Sequence, residues 1–189
     1  GDAPPPAGER GLAGSTEALR KFFEIRSDIG LEAMAESLRL IAAREPGFRE
    51  PYWMLGVVEF LLGHYRAALG NFRVFGEARP GNVAALRNQG VCLFRAGARE
   101  ESFRLFREAL ELVPGDRDVG LDMGRLYAAD GRVEEALAAY QTVLNTLPAD
   151  LELILRSSIL HEGKGDAPRV EELIQRIPDE EMDSASKFL

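Results

Sequence analysis

Residues 80–98 read PGNVAALRNQGVCLFRAGA, and residues 114–132 read PGDRDVGLDMGRLYAADGR. Proline and glycine open both stretches, a polar residue follows, and glycines recur at Gly90/Gly124 and Gly97/Gly131. The interval is thirty-four residues. Working outward, Pro46, Pro80, Pro114 and Pro148 keep that interval, as do Gly56 and Gly63 ahead of the two glycine series. Asn82, Asp116 and Asp150 stand two places after the later prolines. Self-similarity at this period means stacked units, each burying its apolar face only against its neighbours.

The chemistry of one unit follows from its residues. Proline starves a helix of a backbone donor, and Pro-Gly at 46–47, 80–81 and 114–115 makes a turn. Asn82, Asp116 and Asp150 then stand where an N-cap belongs, which predicts first helices over about 83–96 and 117–130, stopped by Gly97 and Gly131. Second helices follow, with apolar or small residues spaced by three and four: Ala68, Leu69, Phe72 and Phe75; Ser102, Phe103, Phe106 and Ala109; Ala136, Leu137, Tyr140 and Val143. No stretch alternates with period two, so no strand is predicted.

This helix–turn–helix unit resembles the tetratricopeptide repeat. Where that family places Leu-Gly, the chain has Leu55-Gly56, Gln89-Gly90 and Met123-Gly124. Where it places a small residue and then an aromatic, the chain has Ala68 and Phe72, Ser102 and Phe106, Ala136 and Tyr140. Glu59, Gln89, Gly120 and Phe75 depart from the pattern and put local packing in question. The resemblance implies an all-α, right-handed α-α superhelix of about five helical hairpins. A lead-in rich in proline and glycine (1–14) precedes a solenoid over 15–182, with repeats at about 15–48, 49–82, 83–116, 117–150 and 151–182. The first and last are degenerate: Ile29-Gly30 is out of register, Ser157-Ser158 replace Leu-Gly, and Pro168 opens a shorter second helix. Residues 183–189 are a tail or a capping helix.

Composition excludes some functions. A formal charge of −8 argues against a nucleic-acid groove, and Glu100, Glu101, Glu108 and Glu111 offset the arginines from Arg87 to Arg107. No segment is apolar enough to insert in a membrane. The chain opens on Gly1 without an initiator methionine, as after trimming, and both cytoplasmic and exported settings fit. No cofactor or metal is expected. His64 and His161 lie in different repeats, Cys92 sits mid-helix among apolar residues, and Gly163-Lys164-Gly165 follows a helix and reads as an inter-helix turn.

What remains is one face of each first helix, which the resemblance places on the inner, concave side. It carries Phe23; Trp53, Val57 and Phe60; Arg87, Val91 and Phe94; Leu121 and Arg125. These recur at i, i+4 and i+7, and they are apolar for a face that owes nothing to the repeat's own packing. The expected function is non-catalytic: a scaffold or adaptor holding a peptide or helix in that groove. A regulatory or targeting segment of a larger enzyme, and a scaffold that self-associates through its end repeats, are the alternatives. Some members of the family clamp a C-terminal carboxylate with Lys, Asn and Arg. The matching places here hold Trp53, Val57, Asn88, Asp118 and Asp122, of which only Asn88 fits.

Overall fold

The computed structural model describes residues 30–178. Nine helices and no strand occur among them: α1 Leu31–Arg44, α2 Glu50–Leu61, α3 Tyr65–Glu77, α4 Val83–Arg95, α5 Arg99–Leu112, α6 Arg117–Ala129, α7 Val133–Leu144, α8 Leu151–Gly163 and α9 Ala167–Ile174. The first helix of the 15–48 repeat and the segment after Pro178 lie outside the described residues.

Local chemistry sets the helix ends. Asn82, Asp116 and Asp150 each accept a bond from the backbone N–H three residues on, at 2.8, 2.9 and 3.0 Å. Each satisfies one of the donors that a helix start leaves without an intrahelical partner. Gly97 and Gly131 have φ of +90° and +77°, a left-handed backbone that a side chain resists, so the chain reverses there. Pro168 sits in the first turn of the short α9. Asp116→Ala is expected to lower the unfolding free energy by about 1 kcal/mol, measured by urea denaturation. An unchanged midpoint would show that the cap contributes nothing to α6.

The chain forms two compact units, one ending at Ala98 and one beginning at Arg99. In the first, Ala35, Leu38, Phe48, Leu55 and Val58 form the core, with Met34, Ile41 and Met54 packed against it. Glycine at 56 lets α2 and α3 touch: a Cβ there would lie 2.7 Å from the Phe72 ring. Three departures from the repeat pattern fall in this unit, and each has its own partner. Phe75 packs against Trp53, with Arg79 stacked over its ring at 4.3 Å. Gln89 donates to the Phe72 carbonyl at 3.4 Å. Glu59, on the core side of α2, is only 2 % exposed and accepts from Arg39 of α1, while His64 Nδ1 lies 2.8 Å from its other oxygen.

In the second unit the core joins Leu121, Tyr140, Val143 and Leu144 to Leu153, Ile154, Leu155, Leu173 and Ile177. Gly120 and Gly124 bring α6 onto α7, since Cβ atoms at these places would lie 2.1 Å from Val143 and 2.2 Å from Tyr140. Phe103 of α5 stacks on Tyr127 of α6 at 3.8 Å. Polar links tie the last hairpin to its neighbour. Arg117 donates to both Asp150 and Glu152, Lys164 to Glu134 and Arg169 to Gln141. Asp150 thus caps α8 and holds the start of α6.

Candidate functional site

Each first helix spends one face on its hairpin partner, so the opposite face decides what it can bind. In the first unit that face of α2 carries Trp53, Val57 and Phe60. Val57 is 39 % exposed. Phe60 is half-buried, its ring 5.3 Å from Tyr65. Trp53 is also half-buried, its ring 5.3 Å from Phe72 and 4.9 Å from Phe75. It is therefore structural as well as accessible. Leu61, more exposed than Val57 and four residues after it, extends the apolar surface. The sequence reading omitted Leu61; the signal for it is that α2 is apolar nearly all round, with only Glu50 and Glu59 charged.

On α4 the expected residues Arg87, Val91 and Phe94 are all half-buried. In the second unit the two candidates part. Leu121 belongs to the core beside Tyr140 and Val143 and is only 7 % exposed. It therefore offers little surface to a partner. Arg125 is exposed and lies 3.8 Å from Asp122. Phe23 lies outside the described residues.

Groups with chemical potential elsewhere are tied into packing. Burial pushes the Cys92 thiol up to about 12, so it stays protonated and un-nucleophilic at neutral pH. Tyr140 is pushed up to about 12 by burial as well. His161 Nδ1 lies 3.0 Å from Asp166, and His64 is engaged by Glu59. No group of three or more His, Cys, Asp or Glu side chains able to hold a metal occurs among the described residues. Gly163-Lys164-Gly165 closes α8 and turns into α9, with Gly165 at φ +76°. Asp118 and Asp122, where a carboxylate clamp would need cations, lie 3.8 Å from Arg117 and Arg125. No helix among the described residues is long and apolar enough to cross a membrane.

Comparison with known proteins adds two family models, both described as tetratricopeptide repeat, which match residues 54–117 and 93–152. Among curated proteins, the Protein CTR9 homolog of Arabidopsis thaliana is 31 % identical over 121 residues. That match takes in 62 % of this chain and 11 % of the relative, so the chain spans about a tenth of the relative's length. Among solved structures, a crystal structure of MamA superposes with a TM-score of 0.71 at 16 % identity, covering 87 % of this chain and 95 % of that one. MamA from Desulfovibrio magneticus RS-1 gives 0.69 at 19 % identity over 87 % and 92 % of the two chains. PilF of Pseudomonas aeruginosa gives 0.69 at 17 % identity over 89 % and 76 %. At these identities the likeness establishes the all-α tetratricopeptide fold.

Proposed function

The chain is a tetratricopeptide-repeat protein, a protein–protein interaction scaffold, and from that premise we propose that it docks a peptide or helix on the open faces of α2 and α4. The observation that carries this reading is the surface of α2. The helix buries Leu55 and Val58 in the core yet presents Val57 and Leu61 to solvent beside half-buried Phe60 and Trp53. A helix needs one apolar stripe to fold onto its neighbours. A second stripe, on the side away from the core, serves something outside the repeat. Val91 and Phe94 of α4 supply further apolar contact, and Arg87 orients the partner or meets its acidic residues. Aromatic and arginine side chains of this kind dominate binding energies when desolvated.

Val57→Asp and Phe94→Ala are each expected to weaken binding by more than about 1 kcal/mol while the helical circular dichroism stays unchanged. Trp53→Ala should weaken it as well, with a loss of stability because Phe72 and Phe75 lose their packing partner. The measurement is titration of a partner recovered by pulldown against these variants and against Glu108→Ala. Groove variants that bind like wild type, alongside a weakened Glu108→Ala, would place the site on another surface.

A further inference from the structure

In the second unit the outward side of each hairpin is covered by the next, and the links from Arg117, Lys164 and Arg169 mark that seam for α6–α7. The corresponding side of α8–α9 is uncovered among the described residues. It holds an open recess of about 550 Å³ walled by Ala167, Val170 and Ile174 and edged by Glu162 and Glu171. Ala167, Val170 and Ile174 fall at i, i+3 and i+7 on one face of α9; Leu173 is in the core, Ile174 is half-buried against that core, and Ala167 and Val170 carry the apolar face outward. Ile159, one turn before Glu162 on α8, is 52 % exposed.

Charge identifies what the recess fits. Every cation of this hairpin is engaged: Arg156 with Glu152, Lys164 with Glu134, Arg169 and Arg176 with Glu172. Of its carboxylates, Glu152, Asp166 and Glu172 are likewise paired. The side-chain carboxylates of Glu162 and Glu171 are the two without an ion-pair partner among the described residues, both are exposed, and both edge the recess. We propose that this recess docks a basic amphipathic helix, whose apolar stripe enters between α8 and α9 while its lysines or arginines meet Glu162 and Glu171. The chain's own residues 179–189 are a poor match, because Asp179, Glu180, Glu181 and Asp183 outweigh Lys187 and would face like charge.

The test uses the whole chain and a displayed library of roughly fifteen-residue helices, about the length at which an isolated helix begins to hold. Leucines are fixed along one stripe and the flanks are randomised over Lys, Glu and Gln. Lysine-flanked helices should be enriched. The enriched helix should lose about tenfold or more in affinity on Val170→Asp and on the double change Glu162→Lys/Glu171→Lys, and stay within about twofold on the single charge reversal Glu111→Lys at another exposed position. Enrichment of glutamate or glutamine flanks, no enrichment, or an equal loss on Glu111→Lys would overturn the proposal. A gain of binding only after truncation at Pro178 would assign the recess to the chain's own tail. Concentration-dependent self-association that Val170→Asp abolishes, seen by light scattering, would assign it to a second copy. Either result overturns the proposal.

Discussion

Gly124→Ala lowers the unfolding free energy by about 2 kcal/mol or more, whereas Gly70→Ala raises it by roughly 0.5–1 kcal/mol. The same chemical change takes opposite signs because the two glycines meet different surroundings. Gly70 lies in the exposed middle of α3 with nothing within 4 Å of an added Cβ, so alanine only removes unfolded-state freedom. At Gly124 the added carbon would lie 2.2 Å from the Tyr140 ring. That residue is buried in the same core cluster as Leu121, Val143 and Leu144, so moving the ring disturbs close packing. Either α6 and α7 separate or Tyr140 leaves its rotamer, and both forfeit packing in the second unit. Urea midpoints of the two variants against wild type are the measurement. Equal shifts of the same sign would mean that the helices do not approach as described.

Arg39→Ala costs about 2–3 kcal/mol, and adding Glu59→Leu recovers most of it. Glu59 is a carboxylate on the core side of α2, stabilised by Arg39 and His64. Removing the arginine leaves a buried charge with the imidazole alone, and that desolvation is what destabilises. The figure stays below that of a fully buried pair because Arg39 is about half exposed and part of its interaction is already screened. Leucine at 59 needs no partner, and the chain holds a buried Leu93 at the equivalent place one repeat later. The double variant is therefore expected near wild type in its denaturation midpoint. A double variant as unstable as the single one would show that Glu59 is not the cause.

The parts of this architecture legible in the sequence are those set by one or two residues. The three N-caps, the glycine stops at 97 and 131 and the short α9 behind Pro168 depend on local backbone chemistry, and local chemistry recurs every thirty-four residues. The apolar stripes of the second helices were legible for the same reason, and Ala68, Phe72, Phe103, Phe106, Ala136 and Tyr140 are all buried. Less legible was anything set by a partner far along the chain. Glu59 breaks the pattern, and the arginine that partners it, Arg39, stands twenty residues earlier. Gly120 has no explanation within α6 itself, which becomes clear only when Val143 is placed against it. Leu121 shows the limit for the site. Spacing puts it on the same helical face as Arg125, yet it is in the core and Arg125 is exposed. Periodicity assigns a direction from the helix axis; how much of that direction a neighbouring helix covers is a tertiary fact.

Asp150 stands at the junction of two helix starts, accepting from Leu153 N at 3.0 Å and from Arg117 across the seam. One carboxylate therefore serves two nucleation events. When α8 unwinds, the side chain that began it is released together with the anchor at the beginning of α6. Fraying at the end of the second unit is then felt one hairpin inward as a lost tether, which makes neighbouring hairpins cooperative where a bare stack would melt piecemeal.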